Sequence, residues 1–132
     1  MTDQGYYYDA LNIAAGKAMG WHERPSKGGN YMLWADATDA ARCACRFWDP
    51  THKGHQLIKL LDKVMDGDKA YSLCLENHHS LADPAWLATI RGIGNRVARE
   101  TGDNSWRVAL VKALIVYCGG TLPEEPQQEE AE

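Results

Sequence analysis

Apolar positions recur at helical spacing in three stretches of the chain, and the segments between them alternate or turn. Leu11, Ile13, Ala14, Ala15, Ala18 and Met19 predict a first helix that starts at Thr2 or Asp3 and is stopped by Gly20, after which Trp21 folds back onto the core. Leu57, Ile58, Leu60, Leu61, Val64 and Met65 share one face of a second helix, with Lys59, Asp62 and Lys63 opposite and Gly67 closing it. From Trp106 to Tyr117 almost no polar face remains, so the third helix is expected to be central and buried, capped by Asn104 or Ser105 and ended by Gly119-Gly120. Between the helices, Tyr31 to Ala35 predicts a short strand after a turn over residues 24–30. Ala70 to Glu76 and Trp86 to Arg91 predict two more, and Arg96 to Ala98 either extends or returns the last. Asp36 to Arg46 is open between a short helix and an irregular connection.

The expected order is helix, strand, helix, strand, strand, helix, without repeats or an internal boundary. A chain of 132 residues suits one core and buries about two-thirds of its unfolded surface. Five of the 18 acidic side chains follow Pro123. Residues 1–122 are therefore expected to form the domain, with a balance of +1, and residues 123–132 a disordered acidic tail that buries too little apolar surface to order. The polar, acidic start matches neither a signal nor a transit peptide, and the longest apolar run is too short to span a bilayer. A cytoplasmic location follows as the expectation, with Cys43, Cys45, Cys74 and Cys118 as free thiols.

Asp49-Pro50-Thr51-His52-Lys53-Gly54-His55 is the segment most suggestive of chemistry. It resembles the phosphate-binding signature of the nucleotidyltransferase superfamily, in which imidazoles at a helix N-terminus stabilise charge on a transferring phosphoryl group. Asp49, His52 and His55, with Arg91 and Arg96 as guanidinium partners, form the candidate phosphate or nucleotide site. The surroundings argue the other way: the preceding strand is weak and no second Ser/Thr-rich motif follows. The competing reading is a helix start capped by Thr51, with solvent-facing histidines. Cys43-x-Cys45, His52-x-x-His55 and His78-His79 lack the spacing of a zinc site, so no metal and no cofactor is expected. No Gly-x-Ser-x-Gly elbow surrounds Ser72, Ser80 or Ser105, and no catalytic residue is assigned. Trp21, Trp34, Trp86 and Trp106 sit where burial is expected. Tyr6-Tyr7-Tyr8 cannot all face one side of a helix and is a candidate partner or dimer surface.

Three segments together resemble the phage ABA sandwich domain family, small proteins of phages and prophages. They are Ala15-Gly16-Lys17-Ala18-Met19-Gly20-Trp21, then Pro50-Thr51 ahead of the helix ending Leu61-Asp62-Lys63-Val64-Met65, then Ala109-Leu110-Val111-Lys112-Ala113-Leu114. The resemblance spans about residues 8 to 119 and departs from the family at Pro50-Thr51-His52-Lys53. It implies an α+β, single-domain, three-layer α/β/α sandwich with a small, mainly antiparallel sheet. It also implies a nonenzymatic accessory protein that binds a host protein or a small nucleotide signal, as in counter-defence, and that forms a homo-oligomer without membrane or nucleic acid. A minimal nucleotidyltransferase and a phage assembly component are the alternatives.

Overall fold

A computed structural model describes residues 3–67, 70–78, 85–102 and 105–124, with side chains from Asp9 onward except at Gly67, His78 and Ala85. Helix α1 (Asp3–Ala18) leads into strands β1 (His22–Pro25), β2 (Met32–Ala35) and β3 (Ala41–Ala44), then a 3-10 turn (Cys45–Phe47) and helix α2 (Gly54–Gly67). Strands β4 (Ala70–His78), β5 (Ala85–Gly92) and β6 (Arg96–Gly102) precede helix α3 (Trp106–Tyr117). The class is α+β. Its strands form two antiparallel three-stranded sheets, ordered β1-β2-β3 and β4-β5-β6, where the sequence suggested one.

Both terminal helices stop on glycine for the same reason. Gly20 (φ 82°) and Gly119 (φ 84°) take the left-handed conformation that a side chain disfavours. This lets Trp21 N–H reach Gly16 O and Gly120 N–H reach Ile115 O, each paired with an inner bond from the glycine itself. The start of α3 is capped as expected, with Ser105 Oγ accepting from Val108 N–H at 3.3 Å.

Helix α3 is the centre of the molecule. Residues Val108 to Ile115 are buried on every side, because β5 and β6 cover one flank while α1 and α2 pack on others. Contact with the sheet is so close that a Cβ on Gly102 would lie 2.4 Å from the backbone nitrogen of Ala109. Lys112, buried within this helix, donates from Nζ to Thr101 O at 2.7 Å. On α1, Leu11, Ala15 and Met19 face inward, and Gly16 leaves room for the fully buried ring of Trp34 from β2. Leu57, Leu60 and Val64 do the same for α2.

Several expectations need correction. Strand β1 runs from His22 into the first two residues of the segment read as a turn, and β3 lies in the undecided stretch; both are short strands with mostly exposed side chains and hence no apolar alternation to reveal them. A polar turn holds β2 against β3. The Asp36 carboxylate accepts from Thr38 N–H and Oγ1, Ala40 N–H and the Arg42 guanidinium. The Thr38 hydroxyl above all, with Arg42 and the two backbone N–H groups, holds its pKa far below the usual carboxylate range against the opposing effect of burial. Arg96 to Ala98 belongs to the returning strand, paired with β5. Ile58, placed on the apolar face of α2, is exposed, as is Trp106 in the first turn of α3. The side chains of Tyr6, Tyr7 and Tyr8 lie outside the described residues, and no helix among those described is long and apolar enough to cross a membrane.

Candidate functional site

The segment from Arg46 to Gln56 is where polar chemistry concentrates. Its pivot is Asp49, which follows buried Trp48 and precedes buried Pro50. One carboxylate oxygen accepts from Asn12 Nδ2 of α1 at 2.9 Å and from Thr51 Oγ1 at 2.7 Å. His52 Nδ1 lies 2.9 and 3.1 Å from its two oxygens, and Asn12 Oδ1 accepts from Thr51 N–H. Backbone groups close the turn: Asp49 O accepts from His52 N–H and Lys53 N–H, and Asp49 N–H donates to Gln56 Oε1. Arg107 Nη1 donates to His52 O at 2.8 Å, bringing in α3. The knot thus joins all three helices, through buried Asn12, Thr51 and Gln56 on the α1 and α2 sides and through an exposed Arg107–His52 bond on the α3 side. Burial raises the Asp49 pKa, but the hydrogen bonds from His52, Thr51 and Asn12 and the nearby imidazole charge more than offset it, leaving the pKa lowered.

Thr51 is therefore not the cap of α2. The helix begins at Gly54, and the threonine hydroxyl is engaged by Asp49 instead. An Asp–His pair of this kind fixes an imidazole with Nδ1–H toward the carboxylate. Activation of a nucleophile would need a hydroxyl or thiol at the other nitrogen. The Thr51 hydroxyl, which touches His52, sits at Nδ1 and donates to Asp49, so this contact ties the turn together.

The five residues of the candidate phosphate site do not converge. Asp49 and His52 are in contact, and His55 is exposed in the first turn of α2. Arg96 stacks over the Tyr117 ring at 4.3 Å and donates to Tyr117 O, at the far end of α3 from the Arg107–His52 contact. The ten-residue separation along the helix is about 15 Å. Arg91 pairs across the sheet with Val97, near Arg96. Among the described residues no three His, Cys, Asp or Glu side chains gather into a metal-holding group. Burial pushes the Cys43 and Cys45 thiols up, against the pull of Lys53 and Lys59 on Cys43 and with Glu23 adding to the rise at Cys45.

A different feature stands beside the knot. Phe47 is 53% exposed, with the Arg46 guanidinium 4.8 Å and the Lys53 ammonium 5.6 Å from its ring centroid. Arg46 also lies 5.4 Å from the ring of Tyr31, itself exposed like its neighbour Met32. The Phe47 carbonyl accepts from both Lys53 Nζ and Gln56 Nε2, so Lys53, just ahead of α2, and the first turn of that helix grip the backbone that carries the ring. A cleft of about 440 Å³ opens next to it, bordered by Asp9, Asn12, Trp34, Arg46, Trp48 and Asp49. Phe47 was missed at the sequence level, although it is the chain's only phenylalanine and stands between Arg46 and Trp48. No family model matches the chain, and no curated protein or solved structure shows significant similarity to it.

Proposed function

We propose that this chain is an accessory protein of phage or prophage type, related to the ABA sandwich proteins it resembles, that acts in the host cytoplasm by binding a host protein and not by catalysis. The observation that carries this reading is the patch of Tyr31, Met32, Phe47, Arg46 and Lys53. Exposed aromatic rings braced by cations are the composition of binding hot spots, and the two cations favour a partner surface with carboxylates around an apolar centre. The internally satisfied Asp49 knot and the separation of Arg96 from His52 weigh against a nucleotidyltransferase site. The three-layer arrangement belongs to the same proposal.

The test compares wild type with Phe47→Ala and Arg46→Glu for capture of host proteins, alongside a thermal-shift series with nucleoside triphosphates and cyclic nucleotides. A partner captured by wild type and lost in both variants, at unchanged melting temperature, is the expected result. Stabilisation by a nucleotide that His52→Ala abolishes would overturn it in favour of nucleotide binding.

A further inference from the structure

We propose that two copies of this chain associate through the free edge of β4, pairing antiparallel about Cys74 to join the second sheets of both into one of six strands. Strand β4 is a sheet edge of nine residues, and among the described residues no strand pairs with its outer side. Such an edge presents unpaired N–H and C=O groups, which proteins guard with charge, proline or brevity, or else use. The other edges are guarded. Strand β6 carries Arg96, Arg99 and Glu100, and buried Lys112 takes the carbonyl of Thr101; β1 ends on Pro25, and β3 has four residues. Past an irregularity between Ala70 and Ser72, β4 carries one charge, Glu76, with neither a basic residue nor a proline up to Asn77, and it exposes Tyr71 (68%) and Leu75 (37%).

Its own sequence is what makes a second copy the occupant. With Cys74 opposite its counterpart, Leu73 faces Leu75 in both directions, which extends the apolar row on the α3 side of the sheet, where Leu73 already packs against the core. Glu76 then faces Ser72. The two Glu76 residues stand four positions apart, about 13 Å along the strands, beyond the range of strong repulsion at physiological salt. No like charges oppose one another. Directly opposed Cα atoms in an antiparallel pair are about 4.5 or 5.5 Å apart, according to the hydrogen-bonding class of the pair, and both separations admit a disulfide.

The proposal is independent of the host-protein reading and is tested on the full chain without any partner. Sedimentation equilibrium should show a reversible dimer. Cys74→Lys and Cys74→Glu, changes at an exposed position, should each weaken it by about tenfold or more by setting like charges face to face. Mixing the two variants should restore the dimer, since opposite charges then meet. In a Cys43→Ser, Cys45→Ser, Cys118→Ser background, diamide, which takes up the two electrons and two protons released by two thiols, should link the copies through Cys74. A monomer at every concentration overturns the proposal. So does a dimer that both charged variants leave intact, or one that Cys74 fails to cross-link, because the contact would then lie elsewhere.

Discussion

Replacing Asp49 with alanine removes the acceptor on which the interhelical knot depends. Two buried donors lose it: Asn12 Nδ2, on a residue 7% exposed, and Thr51 Oγ1, on a residue 3% exposed. A buried polar group left without a partner costs about 1–3 kcal/mol. The exposed His52 contact adds little, because water replaces it and screens it. The expected loss for Asp49→Ala is therefore about 2–4 kcal/mol, or a fall in melting temperature of about 8–16 °C for a domain of this size. Urea unfolding at pH 7 measures it.

The same carboxylate predicts a pH dependence of definite sign. The folded-state pKa of Asp49 lies below its ordinary 3.8, so the folded protein holds the ionised form more tightly than the unfolded chain does. Its stabilising contribution is complete above the unfolded value and is lost as pH falls through the folded one. The difference in stability between wild type and Asp49→Asn should thus shrink below about pH 4. A penalty for Asp49→Ala under about 0.5 kcal/mol, the scatter of ordinary surface substitutions, would refute the knot as a structural element. An Asn variant whose deficit persists unchanged into acid would refute the assignment of the charge.

Gly102→Ala should destabilise by about 1–3 kcal/mol or more, because its Cβ meets the backbone of α3, which cannot yield as a side chain would. Gly16→Ala should follow it, with the new methyl 2.6 Å from the buried Trp34 ring; tryptophan fluorescence during denaturation reports both, and a neutral result at either site would show that the helix can back away. Ser105→Ala should cost about 1 kcal/mol through loss of the cap on α3, read by circular dichroism in urea, and a stabilised variant would contradict the cap. Alkylation of Cys43 and Cys45 should still be accelerating above pH 9.0, their ordinary value, as followed by peptide mass spectrometry; a plateau below that pH would contradict the raised values.

Legibility from sequence tracked apolar content. Helix α3 and both glycine stops could be read because an all-round apolar helix and a left-handed glycine each leave a local signature. The first sheet could not. Its outer strands are four residues long with mostly exposed side chains, and β3 is held to β2 by the Asp36 turn, whose acceptors and donors make no pattern in period two or 3.6. At the site, the sequence singled out Asp49 and His52 correctly as neighbours, since three positions separate them. It joined Arg91 and Arg96 to them through a shared preference for phosphate alone, and the length of α3 keeps those groups apart. Asn12, the remote partner of Asp49, carries no local signal of its role between Leu11 and Ile13. Its meaning is visible only when the turn 37 residues later is packed against it.

That long-range bond also connects the scaffold to the patch. An exposed phenylalanine on a mobile loop would lose ordering entropy on association, and the binding energy would fall accordingly. Here the ring is carried by a backbone whose carbonyl is held by Lys53 and Gln56, and Gln56 in turn accepts from Asp49 N–H. Asp49 is then fixed by Asn12 from α1, and the adjoining His52 carbonyl by Arg107 from α3. The chain of contacts runs from the buried helices to the exposed ring without a flexible joint. Loosening the knot should therefore weaken partner binding even though Asp49 touches no partner. At a temperature where Asp49→Asn is still folded, its affinity should fall through a faster dissociation rate, while Phe47→Ala removes the contact itself.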